Sequence, residues 1–288
     1  MIDRELGLLP FRQRLPWLGG DLQTLRDTLK PPRLPVDRGE SVRVPLADGG
    51  QLLAGGMTLL PTMKQRLASP DTLVDLADCG LAGIEDTGDA IKIGAMTRHV
   101  DVAESAVVQS AIPALAALAG GIGDRQVRNR GTMGGSVANN DPSACYPSAV
   151  LGLGGTVHTN KRDIAADDFF TGMFETALDE DEMITAISFP KADKAAYVKF
   201  PNPASRYAMV GVFVASSSGA TRVAVTGAGS DGVFRHDAME SALNGSFSAG
   251  ALDGVGTDAD DMISDIHASG DYRAHLVCEI AKRAVSAC

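Results

Sequence analysis

Cysteine is scarce in this chain of 288 residues, and the four present, Cys79, Cys145, Cys278 and Cys288, are too scattered to form a C-x-x-C pair. That spacing excludes iron–sulfur and structural zinc ligation within the chain and fits a reduced, cytoplasmic protein. Positive charge is also short: 26 Lys and Arg stand against 36 Asp and Glu, for a net charge of −10. Nucleic-acid binding needs a basic surface and is disfavoured. Long apolar runs are missing. The longest, "AIPALAALAGGIG", falls well short of the roughly 20 residues that span a bilayer. The opening segment "MIDRELGLLPFRQRLPW" has charges throughout and no apolar signal core, so no secretory signal is expected. Contact with a membrane would come only through peripheral docking, at the inner face of the cytoplasmic membrane.

Hydrolytic motifs are absent as well. "GGSVA" lacks the second glycine of a nucleophile elbow. There is no H-E-x-x-H, and His99, His158, His236, His267 and His275 are isolated, which suits structural or surface histidines. No catalytic acid, base or metal ligand is expected in this chain.

The composition, 44% hydrophobic, supports two or three packed subdomains. Residues 1–50 are Pro-rich, with one helix read at "DLQTLRDTLK" and a strand at "SVRVPL". Next, "QLLAGG", "MTLLPTMKQRLASP" and "TLVDLADC" read as strand, helix and strand, a βαβ unit with parallel pairing; "AIKIGAMT" is a further strand. "VDVAESAVVQSAIPALAALAGGIG" reads as helix interrupted at Pro113. "AVLGLGGTVHT", "RDIAADDFF" and "EMITAISFP" read as short strands and turns, and Pro190 closes the region. From residue 191, strands followed by the helices "HDAMESALNG" and "DYRAHLVCEIAKRAVSA" suggest a separate α+β unit.

Two glycine pairs carry the chemistry. Gly55 and Gly56 lie in the strand-to-helix turn Ala54-Gly55-Gly56-Met57-Thr58. Gly134 and Gly135 lie between Thr132 and Ser136 in "RNRGTMGGSVANNDP", with Asn139, Asn140 and Asp141 beyond and Arg125, Arg128 and Arg130 upstream. Bare backbone donors, hydroxyls and amides suit a pyrophosphate and ribose without a metal. Each stretch is equally compatible with an ordinary turn or a polar surface loop. A third glycine run, "GAGSDG" at Gly227, Gly229 and Gly232, fits G-x-G-x-x-G, but "VFRHD" follows where a helix should begin. A hairpin turn is the preferred reading there.

In their order, "LLAGGMTLLPTMKQRLASPDTLVDL", "IKIGAMTRH", "RQVRNRGTMGGSVANNDPSACYP" and "KFPNPASRYAMVGV" resemble the FAD-binding medium subunits of molybdenum hydroxylases, nearest their aerobic carbon monoxide dehydrogenase branch, over about residues 51–288. The resemblance implies an α+β fold. A two-subdomain FAD-binding domain at 51–190, a small βαβ unit plus a mixed or antiparallel-sheet subdomain, would be followed by a C-terminal α+β domain at 191–288 with a three-stranded antiparallel sheet. Residues 1–50 would form a divergent N-terminal segment.

It further implies FAD pyrophosphate contacts from Ala54, Gly55, Gly56, Met57 and Thr58 and from Thr132, Met133, Gly134, Gly135 and Ser136. Ile184 would be an apolar flavin contact, Lys199 a positive charge near the flavin, and Tyr207 an aromatic beside the isoalloxazine. The family carries Asp where this chain has Cys145, so ribose binding would be weakened or taken over by Asp141. The start, "PWLGGDLQTLRDTLKPP", departs from the family and is similar to the start of certain α/β-hydrolases.

The function implied is a flavoprotein subunit, of carbon monoxide dehydrogenase type, passing electrons from a partner [2Fe–2S] cluster through FAD to a quinone-type acceptor. The iron–sulfur small subunit and the molybdenum large subunit would be separate chains, in a dimer of heterotrimers. The alternatives are the medium subunit of an aldehyde or N-heterocycle hydroxylase, or a non-enzymatic scaffold that has lost FAD.

Overall fold

The computed structural model describes residues 50–288. The helix and strand read within residues 1–49 lie outside the described residues. The βαβ unit is present. Strand β1 (Gly50–Leu53) pairs in parallel with β2 (Thr72–Asp75), with Leu52 opposite Val74, and helix α1 (Leu59–Lys64) connects them. This is the one parallel pair among the described residues. Val74, Leu76, Cys79 and Met183 form its small core.

"AIKIG" does not extend that pair. It forms β4 (Ala90–Gly94), inside a five-stranded antiparallel sheet. The sheet order is β3 (Ile84–Asp86), β4, β9 (Ile184–Pro190), β5 (Thr156–Thr159) and β6 (Asp163–Ala165). Alternation explains its placement: Ile91 and Ile93 on β4 and Ile187 and Phe189 on β9 point to one face and are fully buried.

Helices cover that face. The Ala-rich stretch breaks into α2 (His99–Glu104), α3 (Ala106–Ala111) and α4 (Pro113–Gly120). Ser105 caps α3 by accepting from the Val108 N–H, and Pro113 opens α4, where its missing N–H costs nothing. Two further helices, α5 (Arg125–Arg130) and α6 (Met133–Asn139), fall in a stretch read as a loop. "AVLG" is likewise part of helix α7 (Tyr146–Gly152) rather than a strand. Every residue of α7 is buried, so its sequence has no polar face, and a short apolar run carries no period to separate helix from strand. A small hairpin follows, β7 (Phe170–Gly172) with β8 (Glu175–Thr176).

The C-terminal unit is an antiparallel sheet of β10 (Lys194–Pro201), β11 (Ala208–Ser217), β12 (Ala220–Gly229) and β13 (Gly232–Arg235). The implied three strands are β10–β12, and β13 adds a short fourth. "GAGSDG" is the β12–β13 hairpin, with Gly229 paired to Gly232. Helices α8 (Asp237–Gly245) and α9 (Gly270–Ala287) follow. The sheet is covered twice. Val210, Val212, Val214, Val223 and Val225 join Val277, Ile280 and Ala281 of α9 in one core. Phe213, Ala215 and Ala224 join Ala149 and Val150 of α7 in another. That is why eight successive residues of β11, Ala208–Ala215, are all buried.

Two polar anchors lock these layers. Thr226 Oγ1 donates toward the carbonyls of Pro142 and Ala144, and Gly227 N–H bonds Pro142 O at 2.7 Å. Arg273 is 3% exposed; it donates to Met209 O and Gly227 O at 2.7 Å and pairs with Asp265 at 2.9 Å. Arg273→Met removes all four bonds and leaves two buried carbonyls bare. It is expected to lower stability by about 2–4 kcal/mol, read as the shift in a urea unfolding midpoint.

Candidate functional site

The site begins with a contact that only glycine permits. A Cβ at Gly55 would collide with the Arg130 carbonyl and lie 2.9 Å from Gly131 Cα. The β1–α1 turn therefore rests backbone-on-backbone against the α5–α6 junction. Gly134 makes a second such approach, since its Cβ would lie 2.5 Å from Ala95 Cβ at the end of β4. The two glycine pairs read from the sequence thus form two facing jaws on one cavity of about 830 Å³, a size suited to a large ligand.

The first jaw offers donors. The N–H groups of Gly55, Gly56, Met57 and Thr58 have no acceptor among the described residues. Gly56 has φ +72, the left-handed region, a backbone turn that suits a run of free amides to an anion just ahead of α1. The second jaw is not a loop but the first turn of α6. Thr132 caps it, Oγ1 accepting from Gly135 N–H at 3.3 Å. The N–H groups of Met133 and Gly134 are already spent, on Thr97 O at 3.0 Å and Ala95 O at 2.8 Å. Gly134 thus serves close packing, while Ser136 and Asn139 present side chains on the wall that have no partner among the described residues.

Every residue expected to contact FAD lines this cavity except Met133, whose side chain is fully buried in the main core; Asn140 does not line it either. Ile184, where β9 begins, contributes an apolar wall and is 4% exposed. At the far end Lys199 Nζ donates to Gly121 O at 2.7 Å and Arg206 O at 3.1 Å, and lies 3.7 Å from Cys145 Sγ. The ammonium is thus held in place with no carboxylate against it among the described residues. Tyr207 sits beside Asp141 and Cys145; burial first, and then those neighbours, raise its phenol. Asp141 Oδ1 accepts the Ser143 N–H at 2.8 Å, and burial pushes its carboxyl up. Arg125, Arg128 and Arg130 do not line the cavity; Arg128 turns back onto Ile122 O at 3.0 Å.

Some wall residues were not singled out from the sequence. His99 lies under the second jaw, 4% exposed, its N–H bonded to Gly131 O and its ring 5.3 Å from Tyr146. Burial, then the nearby Arg128 charge, push its pKa down to about 4, so the ring is neutral. Glu182 is also on the wall with no side-chain exposure. Burial raises its pKa, but bonds from Arg162, Thr159 and the Asp179 N–H outweigh that and bring it to about 2. Phe174 is a third such residue. His99 stood within a quoted motif, but nothing in the pattern marked it as buried. Among the described residues no three His, Cys, Asp or Glu converge as a metal site, and no helix is long and apolar enough to cross a membrane.

Residues 42–192 match the family described as the FAD binding domain in molybdopterin dehydrogenase. The chain belongs to that family and is a flavoprotein subunit of a molybdenum-hydroxylase-type oxidoreductase. It is 33% identical to the carbon monoxide dehydrogenase medium chain of Hydrogenophaga pseudoflava, across 89% of this chain and 97% of that one. It is 34% identical to the nicotine 6-hydroxylase medium subunit of Paenarthrobacter nicotinovorans, across 83% and 89%. The fold superposes on a solved carbon monoxide dehydrogenase from H. pseudoflava with TM-score 0.76, at 34% identity, covering 84% and 90%. It matches quinoline 2-oxidoreductase from Pseudomonas putida 86 with TM-score 0.75, at 27% identity and the same coverage.

The site makes two predictions of its own. Gly55→Ala forces the jaws apart and is expected to cost about 2–4 kcal/mol, measured by chemical unfolding. The second concerns pH. His99 protonates at the ordinary value near 6.5 when unfolded but only near 4 when folded. The unfolded chain therefore binds more protons between those values, and stability falls as pH drops from about 6.5 to about 4, by about 3 kcal/mol in all. His99→Phe should remove that slope, seen by comparing unfolding midpoints across the window.

Proposed function

We propose that the facing jaws clamp the pyrophosphate of FAD, with the flavin toward Lys199, Ile184 and Tyr207. The observation that carries this is the row of unpaired amides at residues 55–58, facing α6 across one cavity. Ala54, Gly55, Gly56, Met57 and Thr58 bind the phosphates on one side, with Thr132, Gly134, Gly135 and Ser136 opposite and Met133 as buried support. Thr132 spends one lone pair on the cap but keeps its hydroxyl proton to donate. Asp141 takes the ribose, where the family's Asp position is Cys145. Lys199 keeps a fixed positive charge at the flavin end, and Tyr207 covers that end. In this reading residues 51–190 hold the dinucleotide and residues 191–288 close the cavity.

Bound FAD would supply an electron carrier between a partner's [2Fe–2S] cluster and an external acceptor, which we take to be a quinone at the inner face of the cytoplasmic membrane. The chain's residues position the ring, exclude water from part of it and transfer no proton. The assembly would be a dimer of heterotrimers with an iron–sulfur subunit and a molybdenum subunit. Carbon monoxide is the leading substrate of the whole complex. An N-heterocycle is the second reading, favoured by the equally strong likeness to the nicotine 6-hydroxylase subunit. A flavin-free scaffold is disfavoured by the intact first jaw.

The purified chain or complex is expected to show flavin absorbance near about 450 nm. A colourless preparation that takes up no added FAD would refute the assignment. Dye reduction by the complex with carbon monoxide, against nicotine or quinoline, decides between the two substrates.

A further inference from the structure

We propose that Phe174 is a flavin-contact residue, held against the ring end of the dinucleotide by a hairpin that Asn140 anchors to the phosphate-binding helix. The proposal rests on the FAD reading above. Phe174 has φ +59, in the region that favours glycine. For a bulky side chain this is a costly conformation that persists only where its surroundings fix it. The fixing residue is Asn140. Its Nδ2 donates to Gly172 O at 2.8 Å and to Glu175 O at 2.9 Å, and its own carbonyl accepts the Phe174 N–H at 3.2 Å. One residue therefore binds both strands of the β7–β8 hairpin and its tip.

Asn140 is itself 1% exposed, with φ 42, at the C-terminal cap of α6. The helix that begins at Thr132 on the second jaw thus ends in the clamp that sets Phe174. The strain does not serve core packing, because Phe174 is 55% exposed. It does place Phe174 on the cavity wall, at the end where Asp141, next to Asn140, lies beside Tyr207. Two exposed aromatic side chains, Phe174 and Tyr207, thus line one cavity and offer it an aromatic frame. A flat, apolar-faced ring system suits that frame, and a phosphate does not.

The test uses the full chain freed of flavin and titrated separately with FAD and with ADP, which lacks the ring. Phe174→Ala should weaken FAD about three- to ten-fold, leave ADP unchanged, and brighten the bound flavin while opening it to iodide quenching. Phe174→Tyr should restore wild-type values. Phe174→Gly should bind FAD as weakly as Phe174→Ala yet melt no lower than wild type, because glycine takes this φ without strain. Asn140→Asp keeps the size, loses both Nδ2 bonds, and should reproduce the Phe174→Ala pattern. If wild type binds FAD and Phe174→Ala matches it in affinity, brightness and quenching, this assignment is wrong and the FAD reading stands. Equal weakening of FAD and ADP also overturns it. A wild-type chain that binds neither ligand overturns the FAD reading and this one together.

Discussion

The site depends on the contact of Gly55 with the Arg130–Gly131 backbone. Two segments some 75 residues apart in sequence meet there with no side chain between them. One belongs to the small parallel unit and the other to the helical layer over the five-stranded sheet. Without that approach the amides of residues 55–58 would face solvent. With it they face α6 across a cavity whose far wall is supplied by the C-terminal sheet and the turn at 202–207. Residues of two hydrophobic cores, together with Lys199 and residues 204–207 of the C-terminal unit, therefore converge on one space. A ligand touching all of them would add stability to the folded state in proportion to its occupancy, by mass action.

The electrostatics follow from the same geometry. A chain of net charge −10 is a poor global attractor for a dinucleotide carrying phosphate charge. The basic run upstream of the second jaw does not compensate, because those arginines point elsewhere. What remains is local: bare amides, a capped helix start and one fixed ammonium at Lys199. Neutral His99 adds no charge under the second jaw, and Glu182 has its charge covered by Arg162. In the proposed reading the cavity thus separates a phosphate end from an aromatic end.

Much of this was legible in the sequence where local chemistry acts alone. The βαβ unit showed in its strand, glycine turn and helix order, and "GAGSDG" showed itself as a hairpin because no helix followed it. Legibility failed where tertiary burial sets the pattern. Helix α7 has no polar face, so it was indistinguishable from a strand. The second jaw looked like a loop because its glycines and polar residues are poor helix formers. Tight packing against Ala95 and the Thr132 cap make it helical. Met133 sat inside the right motif, but a helix turns its successive side chains in different directions, and this one points into the core. Phe174 gave no signal, since nothing in "TGMFET" announces a left-handed backbone.

Substrate choice is a separate question from this architecture. Subunits named for carbon monoxide and for nicotine match this chain at 33% and 34% identity, and a quinoline oxidoreductase shares the fold at TM-score 0.75. A common fold across subunits with such different names means that the fold alone does not select the substrate. Among the described residues no three His, Cys, Asp or Glu converge as a metal site. In the proposed reading the flavin end holds Lys199, whose ammonium stands 3.7 Å from the Cys145 thiol. That ammonium donates to the carbonyls of Gly121 and Arg206 and pairs with no carboxylate among the described residues, so its charge would make the flavin end positive. A reduced, anionic ring gains more from that field than a neutral oxidised one. Lys199 would therefore act on the ease of electron uptake by the cofactor rather than on what the complex oxidises.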